Sequence, residues 1–299
     1  MPSPESVRLR KALREHAPIS PRTEPALRAA IEYVLSAPGS LSRAQLVMAA
    51  GRAHGLPASE VEQLACAVEY YHVASLIMDD LPCMDDADTR RGQPSLHRAH
   101  GQATALLTSL ALVNRAYSLV AFTFAPHPVI ARMQAQSVLD GCLGTTGILD
   151  GQARDLNFAA SPRAITEASR VALGKTVSLF SLAVFLPALL VDPDPRERAQ
   201  LKALCVYWGL AYQALDDLRD VLSHPTEIGK PTQRDRELAR PNLACLSGVA
   251  FAQRRLRRLL GQAERAAGRL AGWNPRWSYL QAFQQAVFDG AAREALAAA

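Results

Sequence analysis

Met78-Asp79-Asp80-Leu81-Pro82-Cys83-Met84-Asp85-Asp86-Ala87-Asp88-Thr89-Arg90-Arg91-Gly92 sets a run of aspartates and two arginines at the end of an apolar stretch. In that stretch Val61, Leu64, Ala65, Val68 and His72 keep the spacing of one helix face. Pro82 interrupts regular helix after Asp80, so Asp85 is expected to fold back toward Asp79. A second acidic cluster, Gln213-Ala214-Leu215-Asp216-Asp217-Leu218-Arg219-Asp220, follows another helical run through Ala203, Val206, Tyr207 and Leu210. Asp216 and Asp220 are four apart and share a face, with Asp217 adjacent. Like charges at that spacing repel and destabilise a helix. Hard cations remove the repulsion, and Mg²⁺ commonly sits between carboxylates and substrate phosphates. A solvated helix end is the plain alternative for either cluster alone. It accounts poorly for both together with basic residues close by.

Working outward, apolar residues recur at helical spacing almost everywhere, and no run alternates long enough to form a strand worth assigning. Pro38-Gly39, Gly55 to Pro57, Gly92 to Pro94, Pro126 to Pro128, Asp192 to Pro195 and Asn274-Pro275 punctuate the runs. Hydrophobic residues are 49% of the chain but aromatics only 6%. The core must therefore be Leu, Ala and Val, which suit packed helices better than a sheet sandwich. The expectation is an all-α protein: residues 1–21 as a flexible N-terminal arm and 22–299 as a single helical domain.

The net charge is +5, with arginines gathered at Arg254, Arg255, Arg257, Arg258, Arg265 and Arg269. No aromatics interleave with them as a single-strand nucleic-acid binder requires, so they read as a solvated helix face and no nucleic-acid partner is expected. Five cysteines without a CxxC pair fit unpaired thiols in a reducing compartment. Cys83 reads as a small filler rather than a nucleophile. Residues 1–25 have no signal-type apolar core, and the apolar stretch 179–191 is broken by Pro187. A cytoplasmic protein with no transmembrane segment is expected.

Several cations accompany the carboxylates. Arg90 and Arg91 suit a phosphate clamp, because a guanidinium grips phosphate oxygens with two donors. His72 lies seven residues before Asp79, two turns along the same face. Lys175 in Gly174-Lys175-Thr176 and Lys230 in Gly229-Lys230-Pro231 are isolated lysines that phosphate charge would draw inward. His97 and His100 have metal-like spacing but lack a carboxylate or cysteine to complete a site.

These motifs resemble those of the trans-prenyl diphosphate synthases, the farnesyl and geranylgeranyl diphosphate synthase family of polyprenyl synthetases, from about Ala26 to Leu246. Both aspartate motifs, Arg90 to Pro94, His72 to Ile77, Gly151-Gln152 with Asp155, Gly174 to Thr176, Tyr212-Gln213 and Gly229 to Pro231 carry the likeness. The resemblance implies a helical bundle of the isoprenoid synthase type with a central cavity, and a homodimer. It implies that Asp79, Asp80, Asp85, Asp216, Asp217 and Asp220 hold three Mg²⁺ on an allylic diphosphate. Arg90, Lys175 and Lys230 would bind that diphosphate. Arg43, His72 and Arg91 would hold isopentenyl diphosphate, and Gln213 and Thr176 would line the reacting centre.

The likeness is uneven. The family's Gly-Gly-Lys-Arg-x-Arg-Pro stretch reads Pro38-Gly39-Ser40-Leu41-Ser42-Arg43-Ala44, so Ser40 and Leu41 replace two cations. Thr108-Ser109 stands for the usual Gly-Asp, and Arg240 for a lysine. Charged contacts are each worth about 1.5–3 kcal/mol, so the half of the site that takes isopentenyl diphosphate looks eroded. Three readings follow: a working synthase, an enzyme that ionises a prenyl diphosphate without coupling, or a non-catalytic partner subunit of another synthase. The aspartates argue against the last, and His72 and Arg91 favour the first. In this family the residues before the first aspartate line the elongation pocket. Ala74 and Ser75 are small there, and Tyr71 lies one turn further along. That pattern is expected to give a C20 product.

Overall fold

The computed structural model describes residues 4–161, 165–222 and 240–297. They are almost wholly helical, as expected. The chain falls into two compact units, one of residues 1–51 and 55–132, the other of 52–54 and 133–299.

In the first unit, α1 (Pro4–Glu15), α2 (Pro25–Ser36), α3 (Ser42–His54) and α4 (Ala58–Asp79) lead to a two-residue-strand hairpin, β1 (Thr89–Arg90) and β2 (Gln93–Pro94). Next come α5 (Leu96–His100) and α6 (Gln102–Phe124). The core forms where α4 packs along α6. Leu64, Val68, Leu112, Ala116 and Leu119 are buried there, the helical stripe that the spacing predicts. Small residues permit close approach: a Cβ on Gly51 of α3 would come within 2.4 Å of the Val61 side chain on α4. Residues 4–15 lie within the segment expected as an arm, yet they form a helix with Leu9, Ala12 and Leu13 buried. The Tyr70 hydroxyl donates to the Leu13 carbonyl at 2.7 Å.

In the second unit, α7 (Val129–Leu143) leads to α8 (Ile148–Leu156), α9 (Ile165–Ala172), a π-helical turn at Leu173–Val177 and α10 (Ser178–Ala188). Then come α11 (Pro195–Leu222), α12 (Leu243–Ser247), α13 (Val249–Trp273) and α14 (Tyr279–Ala297). The long α11 packs along α13. It opens on a capping box: Asp194 Oδ1 accepts the N–H groups of Arg196 and Glu197 at 2.7 and 2.9 Å. Glu197 Oε2 in return accepts the Asp194 N–H at 3.0 Å. Pro195 fits this start because its missing N–H would have no helical partner.

The stretches Gln102–Phe124 and Ile165–Ala188 are long and apolar enough to cross a membrane, but the second is 78% buried in its unit. A packed core helix accounts for its composition.

Candidate active site

The first cluster forms where α4 stops. The Asp85 N–H donates to the Asp79 carbonyl at 3.0 Å, and the Ala87 N–H to the Asp80 carbonyl at 3.1 Å. The chain after Pro82 therefore folds back on the helix end, as the proline predicts. Asp79 and Asp85 are half-buried at this end, where the helix dipole favours cations. Asp80 differs. It is buried, and Arg90 Nε donates to both of its oxygens at 3.0 and 3.1 Å while Nη2 bonds Oδ1. Burial opposes the Arg90 charge. The hydrogen bond to Asp80 and the charges of Asp80, Asp79 and Asp85 outweigh it and raise the guanidinium above its ordinary value.

The hairpin separates the two arginines. Its turn residues, Arg91 and Gly92, have φ of 55° and 76°, which is the backbone of a tight two-residue hairpin loop. Arg90 on the strand reaches Asp80. Arg91 on the turn lies against Gly39, and its Nη1 donates to the Ala37 carbonyl at 3.1 Å. A Cβ on Gly39 would fall 2.4 Å from the Arg91 guanidinium carbon, and Gly39 itself has φ of 74°. Glycine is thus required twice over at this seat. Sequence reading quoted Gly39 without seeing this role.

Arg43 on α3 is buried, and its charge acts on His72 with those of Arg91 and Arg90. Burial first, then these three cations, hold the His72 imidazole well below its ordinary value. It is neutral at pH 7 and keeps one N–H donor. Arg43, His72 and Arg91, expected together, thus share one electrostatic environment within the first unit. Ser40 is exposed and Leu41 buried. Nearby on α4, Ala74 is buried and its carbonyl accepts the Ser109 hydroxyl at 3.1 Å. Serine in place of the usual aspartate thus ties α6 to α4. Ser75 bonds back to the His72 carbonyl at 2.9 Å. The buried Tyr71 ring meets Tyr117 edge to face at 5.5 Å.

In the second unit, the π turn carries Lys175 and Thr176, a local distortion that recurs at functional sites. It is tightly seated, since a Cβ on Gly174 would lie 2.5 Å from the Gly151 Cα. Lys175 Nζ bonds Asp155 Oδ2 at 2.6 Å, and Asp155 on α8 is buried. Thr176 Oγ1 donates to Gln213 Oε1 at 3.1 Å, and Gln213 Nε2 donates to Asp217 Oδ1 at 2.8 Å. The other Asp217 oxygen accepts the Leu243 N–H at 2.8 Å, and Asn242 Nδ2 donates to the Asp217 carbonyl at 3.3 Å. Asp217, 3% exposed, is therefore turned to the interior, whereas Asp216 is exposed and Asp220 half-buried. The four-residue spacing predicted that Asp216 and Asp220 share a face. Sequence reading gave Asp155 no role of its own; its place beside the Gly-Gln motif was the available signal. Lys230 lies outside the described residues.

Among the described residues no three His, Cys, Asp or Glu side chains are gathered into a ready-made metal site. The donors still fit Mg²⁺. Carboxylate oxygens are its preferred ligands, and it is usually held by one or two carboxylates together with substrate phosphates rather than in an all-protein cage.

Carboxylates at two helix positions, each with a cation held by a buried aspartate, stand on an all-helical scaffold and fit the prenyltransferases of the trans-prenyl diphosphate synthase class. Residues 24–271 match the family model described as polyprenyl synthetase, and the chain belongs to that family. It is 38% identical over 234 residues to geranylgeranyl diphosphate synthase of Pseudescherichia vulneris, covering 77% of this chain and 73% of that one. It is 31% identical over 231 residues to farnesyl diphosphate synthase of Geobacillus stearothermophilus, covering 77% and 78%. The fold superposes on geranyltransferase from Helicobacter pylori, solved with magnesium and isoprenyl diphosphate. That match has a TM-score of 0.84 at 26% identity and covers 97% of this chain and 99% of that one. The family is Mg²⁺-dependent and uses isopentenyl and allylic diphosphates.

Proposed function

We propose that this prenyltransferase condenses isopentenyl diphosphate with an allylic diphosphate to give a C20 prenyl diphosphate. One observation carries the coupling half of that reading. The charges of Arg43 and Arg91 both act on His72, and Arg91 has a fitted seat on Gly39, although Ser40 and Leu41 bring no charge.

In this reading Asp79, Asp80, Asp85, Asp216, Asp217 and Asp220 serve three Mg²⁺. Bound there, the ions supply positive charge that makes diphosphate a better leaving group. Arg90, Lys175 and Lys230 bind the same diphosphate and stabilise its charge as the allylic C–O bond breaks. Arg43, His72 and Arg91 hold isopentenyl diphosphate so that its double bond meets the allylic carbon. Gln213 and Thr176, already hydrogen-bonded to each other, line the reacting centre. A carbon–carbon bond forms, and a proton passes to the released diphosphate as the new double bond is made. Apolar side chains keep water from the cation.

The C20 assignment rests on the small, buried Ala74 and on the Tyr71–Tyr117 pair as the pocket floor. Relatives named for C15 and C20 products are both close in sequence. A homodimer is supported by the exposed apolar face of α6 at Leu106, Leu107 and Leu110. Unpaired cysteines among the described residues favour the cytoplasm.

The test is incubation with Mg²⁺, farnesyl diphosphate and labelled isopentenyl diphosphate. Label is expected in a prenyl diphosphate, chiefly C20. A chiefly C25 product, or a product that stops at C15 when geranyl diphosphate replaces farnesyl diphosphate, overturns the length, and diphosphate release without incorporated label overturns the coupling.

A further inference from the structure

The whole chain carries a net charge of +5. Helix α13 alone holds six arginines, one glutamate and no lysine or aspartate, which is also a net +5. The other residues therefore balance, and the excess charge lies on one helix. Its residues sort by face. Leu256, Leu259, Ala263, Ala267 and Leu270 are buried where α13 packs along α11. Arg254, Arg258, Arg265 and Arg269 are exposed. At 3.6 residues per turn they fall within about 60° of one another, along about 22 Å of helix. Arg257, also exposed, flanks them.

The sequence alone reads these arginines as a solvated face, and the structure separates them from ordinary surface charge. On neighbouring helices of the same unit, arginines find carboxylates. Arg154 and Arg170 bond Glu167 at 2.7 and 3.2 Å, Arg196 bonds Asp194 at 3.4 Å, and Arg198 bonds Asp192. Among the described residues, none of the five exposed arginines of α13 forms an ion pair. Glu264 is not three or four residues from any of them. Arginine meets arginine instead, at Arg254–Arg257, Arg254–Arg258 and Arg265–Arg269, spacings at which like charges repel. Burial first, then the Arg258 charge, hold the half-buried Arg255 guanidinium below its ordinary value. An anionic surface would relieve this repulsion, and every cation here is arginine, whose fork takes phosphate oxygens in pairs. The stripe ends on Trp273, four residues past Arg269 and 44% exposed, with the Arg196 guanidinium 5.5 Å from its ring centre. A tryptophan with one wet edge suits the headgroup level of a bilayer. No ring lies between the arginines to stack bases, and the product of a prenyltransferase is itself a lipid.

We propose that this face of α13 is a docking surface for the anionic headgroups of a phospholipid bilayer, with Arg254, Arg257, Arg258, Arg265 and Arg269 on the phosphates and Trp273 at the headgroup level. The protein then lies on the membrane, and a prenyl diphosphate is released where its chain partitions. The proposal holds whichever product length the active site makes.

Sedimentation of the full chain with vesicles tests it. Vesicles of phosphatidylcholine and phosphatidylglycerol in equal parts should carry the protein down at low salt, and vesicles of phosphatidylcholine alone should not. Raising the salt to about 0.5 M should release it, because the Debye length then shrinks to about 4 Å. Each arginine near the surface is worth about fivefold in the partition constant. Arg258→Gln with Arg265→Gln should therefore lower that constant about twenty-fivefold. Arg22→Gln with Arg132→Gln removes the same charge from exposed positions of the first unit, and should change it by about twofold or less. Both double variants should melt with wild type, since all four side chains are exposed. No binding by wild type, or equal binding to neutral vesicles, overturns the proposal. Equal losses in the two double variants overturn it as well, because net charge rather than the stripe would then hold the protein. If wild type ignores the vesicles but is retained on duplex DNA at the same salt, and Arg258→Gln with Arg265→Gln abolishes that retention, the stripe serves nucleic acid and the membrane proposal fails.

Discussion

The two aspartate clusters use the same parts in different order. In the first unit, Asp79 and Asp85 lie at the end of α4 while Asp80 turns inward to hold Arg90. In the second, the exposed Asp216 and half-buried Asp220 share a face of α11 while Asp217 turns inward. Asp217 fixes Gln213 and the backbone at Leu243. Lys175 is held from another helix, by Asp155 on α8. Two motifs of three aspartates each therefore do not offer six equivalent ligands. One aspartate in each also bonds the protein, and the contacts differ: the Arg90 guanidinium in the first, the Gln213 amide and the Leu243 N–H in the second.

The largest effects should fall on the outward carboxylates and be alike in both units. Asp79→Ala and Asp216→Ala should each lower kcat by about a thousandfold or more, as removal of a charge-stabilising group at the leaving group does. Melting temperatures should stay close to wild type, since neither side chain is fully buried. Steady-state turnover with a thermal melt measures both. A large loss in one unit and a small loss in the other would break the symmetry.

The inward aspartates should separate the units through stability. Asp80→Asn leaves the part-buried Arg90 charge without its carboxylate, at a cost of about 1.5–3 kcal/mol. Asp217→Asn presents an amide N–H to a donor at one of its two contacts, the Gln213 amide or the Leu243 N–H, at a cost of about 1–3 kcal/mol. Rescue tells them apart. Adding Arg90→Gln to Asp80→Asn should recover part of the loss, because the uncompensated charge goes with it. Adding Gln213→Leu to Asp217→Asn should recover nothing, because the Leu243 contact remains. Urea denaturation of the four variants decides it. Equal rescue in both units would mean that neutral and charged partners matter alike.

Sequence reading reached those features that depend on spacing along the chain. The fold-back of Asp85 follows from Pro82, the shared face of Asp216 and Asp220 from helical geometry, and the helical class from apolar periodicity. It missed features that depend on which way a side chain turns after packing. Asp80 and Asp217 look like their neighbours in sequence, and only the hairpin at Arg91-Gly92 and the extended Asn242 that caps α12 set them apart. Asp155 was visible beside Gly151-Gln152, but its partner comes from a π turn that periodicity does not encode.

The smallest effect tests whether Asp155 does for Lys175 what Asp80 does for Arg90. Lysine is a flexible point charge, whereas the arginine fork is fixed by hydrogen bonds from both Nε and Nη2. Losing the holder should therefore cost less in the second unit. Asp155→Asn keeps a hydrogen-bond acceptor for Nζ and should lower kcat/KM for the allylic diphosphate by about five- to tenfold, against a hundredfold or more for Lys175→Met, which removes the charge itself. If Asp155 only positions Lys175, Asp155→Asn made on top of Lys175→Met adds nothing further. Two losses that multiply in the double variant would show instead that Asp155 reaches the substrate by a route independent of Lys175. The two units would then hold their cations by different means.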